Sequence, residues 1–153
     1  MSNENQREEV ITPERREEIL SSFQSQGLMS NFQATVKEVQ WGHVVLEMPH
    51  SKSITQQHGF FHGGVVGALA DSACGYAALS IVNPGHAGLT AEYKINLLSP
   101  ADGDSLIAVG KVLKPGNRLI VCQGDVFVEK TGKRKLCATM LMTLCVVENL
   151  KNL

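Results

Sequence analysis

The chain has 153 residues, of which 43% are hydrophobic, and a formal net charge of −1 at pH 7. This length predicts one domain with a sizeable core, and a near-neutral charge without a basic stripe argues against a nucleic-acid-binding protein. None of the four cysteines forms a CxxC pair and three lie in apolar runs, which predicts reduced core thiols in a cytoplasmic protein. We expect residues 1–10 to be a disordered leader without a secretory signal, and residues 11–150 to form the single domain.

The chain predicts one short helix at its start and six strands further on. Thr12 has the character of an N-cap and Pro13 suits the first helical position, so we expect a helix that ends near Gly27. Strand-like segments lie on both sides of a turn at residues 41–42, and four more follow a breaker at residues 83–85. The predicted strands cover residues 32–39, 43–48, 89–98, 105–113, 119–128 and 135–147. The last strand is apolar on both faces, which predicts a central strand that is covered on both sides.

The stretch from about residue 63 to residue 82 is almost entirely small or apolar and contains no proline. Its apolar residues fall on every side, which predicts a central helix that is buried all round. Asp71 is the one permanently charged residue between Gly59 and Ala91, and a buried carboxylate is costly unless it is paired or belongs to a site. The simplest packing is an α+β fold in which the strands, the last four as an antiparallel meander, curl around this helix.

The turn His62-Gly63-Gly64 opens the predicted helix with residues that suit ligand binding. Unpaired N–H groups at a helix N-terminus carry partial positive charge, and glycine lets a ligand approach the backbone closely. Such a turn can hold a carbonyl oxygen and stabilise an oxyanion. Asp71 lies eight residues beyond Gly63, about 12 Å along the helix axis, so both groups reach one substrate only when a second subunit lies antiparallel. The geometry therefore predicts a homodimer with two composite sites.

A longer pattern around this turn resembles a known family. The segment Gly59-Phe-Phe-His-Gly-Gly64 followed by Asp71, together with residues 91–101 and 112–118, is similar to hotdog-fold acyl-CoA thioesterases of the phenylacetate-degradation, or PaaI-like, type. The resemblance covers about residues 30–147. It implies an antiparallel sheet of about six strands wrapped around one long helix, with a short N-terminal helix, and hydrolysis of an acyl-CoA thioester.

The same resemblance implies a role for each residue of the pattern. The Gly63 N–H would polarise the thioester carbonyl, and Asp71 of the partner subunit would act as general base or nucleophile. Thr90 would help to hold the water, His62 would assist near the sulfur leaving group, and Gln56 stands where members often carry Asn. The implied substrate contacts are Phe60, Phe61, Gly64, Leu97, Leu98, Ser99, Pro100, Lys114, Pro115, Gly116, Asn117 and Arg118. The expected partners are acyl-CoA and further copies of the chain, as a homodimer or homotetramer, with no cofactor beyond the CoA of the substrate, no metal, no nucleic acid and no membrane.

Other interpretations of these residues stay open. Asp71 is alternatively a satisfied polar group at a helix contact, and Lys114 and Arg118 belong equally well to a solvated turn. His58 and His62 have the i, i+4 spacing of zinc ligands but lack a nearby third ligand. A non-catalytic acyl-CoA sensor or carrier would keep the CoA turns without needing Asp71. A hotdog dehydratase would instead use a histidine and a carboxylate across a C–O bond.

Overall fold

The computed structural model describes residues 10–148, so the predicted leader, apart from its last residue, lies outside the described residues. The helices are α1 (Pro13–Gln24), α2 (Gly27–Asn31) and α3 (Gly63–Leu79), with a 3-10 turn at Lys52–Ile54. The strands are β1 (Thr35–Gln40), β2 (His43–Pro49), β3 (His86–Leu97), β4 (Ser105–Lys114), β5 (Leu119–Lys130) and β6 (Lys133–Glu148). The predicted elements are present with shifted ends. Helix α2 is an addition that begins at Gly27, where the sequence predicts only the end of the first helix.

The strands of the described residues form one antiparallel sheet in the order β1-β2-β4-β5-β6-β3, and α3 packs across one face of it. This arrangement confirms the predicted α+β hotdog architecture. Two glycines let the helix approach the sheet closely. A Cβ at Gly110 on β4 would collide with the backbone of Ala73, and a Cβ at Gly124 on β5 would lie 2.7 Å from Cys74 Sγ. The hydrophobic core fills the space between α3 and this face.

The prediction that the last four strands form a meander is wrong, because β3 pairs with β6 and β4 pairs with β2. Strand β4 is buried at five of its first six residues and takes a central place, whereas β3 carries Glu92, Lys94 and Asn96 and forms an edge. Strand β6 lies between β5 and β3, as a central strand should. Only one of its faces is covered within the protomer, however, since Leu141 on the other face is 54% exposed.

Helix α3 is not buried all round in the protomer, contrary to the prediction. Leu69 and Ala73 face the sheet and are fully buried. Gly64, Asp71 and Gly75 lie on a stripe that is exposed or half-buried. The apolar composition therefore serves close packing on the sheet side, and the other side carries the helix residues that are available to a ligand or a second subunit.

Helix α3 ends at Leu79 rather than near Val82, because two side chains take its last carbonyl groups. The Ser80 hydroxyl donates to the Ala77 carbonyl at 2.7 Å. The guanidinium of Arg15 donates to the Leu79 carbonyl from two nitrogens, at 2.7 and 3.0 Å. Such bonds satisfy carbonyls that lack a partner within the helix. The two Arg15 bonds also hold α1 against the carboxyl-terminal end of α3.

Candidate active site

The turn before α3 leaves one backbone donor free at the start of the helix. His62 is the N-cap, and its Nδ1 accepts a hydrogen bond from the Gly64 N–H at 2.9 Å. The His62 carbonyl accepts from the N–H groups of Val65 and Val66. Within residues 10–148 the Gly63 N–H has no recorded acceptor. The N–H of Gly63, the predicted donor, is therefore available to a ligand. The N–H of Gly64, a predicted substrate contact, is already bonded to the ring of His62.

A cavity of about 540 Å³ opens beside the Gly63 N–H and is called the Gly63 cavity below. Six of the seven predicted substrate contacts between residues 60 and 100 line this cavity. These contacts are Phe60, Phe61, Leu97, Leu98, Ser99 and Pro100, and Gln56, which was predicted among the catalytic residues, lines the cavity with them. A Cβ at Gly63 would lie 2.9 Å from the end of the Leu97 side chain, so Gly63 lies close against β3. This packing places the free N–H at the wall of the cavity.

Two further side chains of the Gly63 cavity are an amide held by a hydrogen bond and a buried thiol. The Gln56 side-chain oxygen accepts a hydrogen bond from the His58 N–H, which fixes the amide at the rim of the turn. The Cys137 thiol is 1% exposed, and burial raises its pKa to about 11. Cys137 is therefore a neutral thiol at pH 7 and a poor nucleophile.

Asp71 lies two turns further along α3, in a separate cavity of about 340 Å³ that is called the Asp71 cavity below. The Thr90 hydroxyl donates to Asp71 Oδ1 at 2.7 Å, so the structure brings these two predicted residues together. The carboxylate is half-buried and faces the cavity, where one of its oxygens is held by a short, charge-assisted bond. A carboxylate held in this way is positioned to take a proton from water or to attack a carbonyl carbon.

The Asp71 cavity also contains polar residues that the sequence did not indicate. Gln26, which follows α1, donates to the Tyr76 hydroxyl at 3.0 Å. The Ser72 hydroxyl donates to the Gln26 side-chain oxygen at 3.4 Å, and Ser22 lies 3.1 Å from the Tyr76 hydroxyl. Gln26 and Ser22 lie in an unremarkable polar segment, and only the packing of α1 onto α3 brings them here. No sequence signal marks them.

A single protomer does not bring Gly63 and Asp71 together. Both lie on the side of α3 that runs alongside β3, with Leu97 beside Gly63 and Thr90 beside Asp71. Eight residues of helix separate them by about 12 Å, and each lines its own cavity. The protomer thus carries the two halves of the predicted site at a distance too great for one thioester.

The predicted CoA contacts between β4 and β5 lie away from the Gly63 cavity. Lys114, Pro115, Gly116, Asn117 and Arg118 are all exposed. The Arg118 carbonyl accepts from the Val146 N–H at 2.8 Å, near the carboxyl-terminal end of β6. The same end of β6 pairs with the part of β3 that carries Thr90. This turn therefore lies at the Asp71 end of its own protomer.

Two structural features bear on the expected partners. No helix within residues 10–148 is both long enough and apolar enough to cross a membrane. In the same range, no group of three or more His, Cys, Asp or Glu side chains has an arrangement that would hold a metal ion.

Comparison with known proteins identifies the family. A model of the thioesterase superfamily matches residues 58–135, which is half of the chain and includes both Gly63 and Asp71. The chain therefore belongs to the thioesterase superfamily, and the expected class of enzyme, a thioester hydrolase, is confirmed at this level.

Individual relatives agree with this assignment. A crystal structure of a thioesterase family protein from Silicibacter pomeroyi is 37% identical, covers 88% of this chain and 99% of its own, and superposes with a TM-score of 0.87. Acyl-coenzyme A thioesterase 13 of Mus musculus is 30% identical over 91 residues, which are 59% of this chain and 64% of the mouse protein. The E. coli PaaI protein from the phenylacetic acid degradation operon shares the fold, with a TM-score of 0.79, 20% identity, and coverage of 88% of this chain and 94% of its own.

Proposed function

We propose that the protein hydrolyses acyl-CoA thioesters to the free acid and CoA. The observation that carries the proposal is the pair of reactive features on one face of α3. These are the free Gly63 N–H in a cavity and the Asp71 carboxylate held by Thr90. The mouse relative is named an acyl-coenzyme A thioesterase, which supports CoA as the thiol carrier. The reduced cysteines are compatible with the cytoplasmic location that the sequence predicts.

The roles in the reaction follow from these positions. The Gly63 N–H binds the carbonyl oxygen and stabilises the negative charge that develops on it. Asp71 takes a proton from the attacking water as general base, or attacks the carbonyl carbon itself as nucleophile. In the general-base path, collapse of the intermediate breaks the C–S bond, and the thiolate of CoA receives the proton that Asp71 took from water. In the nucleophilic path, C–S cleavage leaves an anhydride between Asp71 and the acyl group, and water then hydrolyses this anhydride, which releases the acid, restores the carboxylate and supplies the proton for the thiolate. His62 holds the turn through Gly64, and Gln56 lies on the carbonyl side of the Gly63 cavity.

The proposed site is completed by a second subunit. Strand β3 is 12 residues long and forms an edge of the sheet, with Tyr93 47% and Leu97 56% exposed. A long unpaired edge is a template for pairing with another chain. Antiparallel pairing of two β3 strands about a point between Tyr93 and Lys94 would place Leu97 of one subunit opposite the partner's Thr90. That pairing would bring Gly63 to the partner's Asp71, and a homotetramer would require further contacts.

Hydrolysis is favoured over the two alternatives by the Asp71–Thr90 pair. A sensor or carrier has no need of a carboxylate with an oriented oxygen. A dehydratase would need a histidine nitrogen that can accept a proton, whereas His62 Nδ1 accepts from the Gly64 N–H and the neutral ring then carries its own proton on Nε2.

The direct test is release of free CoA thiol from short, medium, long and aryl acyl-CoAs, by the wild type and by Asp71→Asn. We expect turnover by the wild type and a loss of about a hundredfold or more in the folded variant. Binding of the acyl-CoA without turnover would support a sensor instead. Turnover that Asp71→Asn leaves unchanged would overturn the assignment of the carboxylate.

A further inference from the structure

A third cavity lies next to the Gly63 cavity, between the β5–β6 hairpin and the loop that follows β3, and is called the hairpin cleft below. Its volume is about 530 Å³, and it shares Phe60 and Pro100 with the Gly63 cavity, so the two are contiguous. Four of the side chains that line it are cationic: Lys130, Lys133, Arg134 and Lys135. The proposed chemistry uses none of these four.

Two of the four cations have carboxylate partners and two do not. Lys130 Nζ lies 2.7 Å from Asp102, and Arg134 Nε lies 2.8 Å from Glu129. Lys133 and Lys135 form no ion pair within 4.0 Å among residues 10–148. They stand two residues apart on β6, so both side chains leave the same face of the strand. The cleft therefore presents two neighbouring ammonium groups whose charge is not neutralised by the protein.

The hairpin is held firmly against the loop that lines the Gly63 cavity. The Asp104 N–H donates to the Glu129 carbonyl at 2.7 Å, and the Thr131 N–H donates to the Asp104 side chain at 2.9 Å. The Phe61 N–H donates to the Ala101 carbonyl at 3.0 Å and ties the same loop to the turn before α3. The two lysines are thus carried on an element whose position relative to the Gly63 N–H is fixed by hydrogen bonds.

We propose that the hairpin cleft binds the phosphate groups of CoA through Lys133 and Lys135, while the pantetheine arm passes Phe60 and Pro100 into the Gly63 cavity. This inference rests on the proposed function for the position of the thioester. Phosphate oxygens suit ammonium groups that lack a carboxylate, and CoA carries its phosphates at the end opposite to its thiol. Within one protomer this places the phosphates beside the Gly63 cavity, whereas residues 114–118 lie at the Asp71 end.

The test compares ligands with and without phosphate in matched variants. Calorimetric titration with CoA, 3′-dephospho-CoA and pantetheine gives the affinities, and thiol release from an acyl-CoA and the corresponding S-acyl-pantetheine gives kcat and KM. The variants are Lys133→Ala/Lys135→Ala, the charge-retaining Lys133→Arg/Lys135→Arg, and a control, Lys37→Ala/Lys111→Ala. The control removes the same charge from positions that line neither cavity.

We expect Lys133→Ala/Lys135→Ala to weaken CoA binding and to raise KM for the acyl-CoA by about tenfold, with kcat and the pantetheine ligands unaffected. The arginine variant and the control should bind CoA as the wild type does. Equal CoA affinity in the wild type and the double alanine variant, or an equal loss in the control, would overturn the assignment while hydrolysis stands. CoA binding that depends on the two lysines, without any turnover by the wild type, would overturn hydrolysis and leave the cleft standing.

Discussion

At the scale of single residues, the proposed chemistry depends on a backbone donor, which can be removed without disturbing the helix. Gly63 is the first residue of α3, a position that tolerates proline. His62 before it has φ −64° and ψ 138°, a conformation that proline also favours in its predecessor. Gly63→Pro therefore deletes the N–H and keeps the fold. We expect kcat to fall by about a hundredfold to a thousandfold, the usual cost of an oxyanion donor.

The steric part of this substitution is measured separately by Gly63→Ala. A Cβ here meets the end of the Leu97 side chain at 2.9 Å, a flexible neighbour that can shift. Gly63→Ala keeps the N–H and should lose much less activity than Gly63→Pro. Equal losses in the two variants, with unchanged thermal unfolding, would show that the donor is not what matters at this position.

We expect the Thr90 hydroxyl to act through Asp71, so that its removal changes kcat rather than KM. Thr90→Val keeps the shape of the side chain and removes the 2.7 Å bond to the carboxylate. We expect kcat to fall by about tenfold with KM little changed, because Asp71 Oδ1 loses the hydrogen bond that orients it. Thr90→Ser restores the hydroxyl and should recover most of kcat. A change confined to KM, or a serine variant as slow as the valine variant, would speak against this role.

The sequence predicts these residues to different degrees. Asp71 stands out because it is the one permanent charge in a long apolar segment, and Gly63 because paired glycines open a helix. Thr90 was identified from the resemblance alone, since a strand threonine has no signal of its own. Gln26 could not be identified, because its place beside Tyr76 depends on how α1 packs onto α3.

At the scale of elements, the close approach of α3 to the sheet is set by glycine. Gly110→Ala on β4 would place a methyl group against the backbone of Ala73, which cannot move independently of the helix. We expect a loss of about 3 kcal/mol in the free energy of unfolding, measured by urea titration. Gly27→Ala is a matched control, since no atom lies within 4 Å of the added methyl group, and its effect should be within about 1 kcal/mol. A similar stability for both variants would contradict this packing.

The presence of the six strands was predictable from local chemistry, but their order in the sheet was not. Alternating patterns and turn residues locate all six strands, because both signals lie within each segment. The pairing of β3 with β6 depends on which strand can best form the exposed edge of the sheet. Glu92 and Lys94 favour β3 for this place only after β3 has been compared with the other strands. The length of α3 was overestimated for a related reason, since Arg15 reaches its last turn from α1.

At the scale of the whole molecule, the proposed chemistry cannot be completed within one protomer. It carries the proposed oxyanion donor at one end of α3 and the proposed catalytic carboxylate about 12 Å away. A long edge strand runs beside both. The proposed hydrolysis therefore requires two copies, each of which would complete the other's site. The sequence predicts this dependence from helix geometry alone, since the spacing of Gly63 and Asp71 is fixed once both lie on one helix.

Complementation between two inactive variants tests this claim most directly. Gly63→Pro and Asp71→Asn subunits, coexpressed with different affinity tags and purified as the mixed dimer, each lack one half of the site. If Asp71 acts on the substrate held by its partner's Gly63, the mixed dimer contains one site with both groups intact and one with neither. We predict thiol release at about half the wild-type rate per dimer, while each variant alone stays inactive. A mixed dimer as inactive as its parents would show that both groups act within one subunit and would contradict the account.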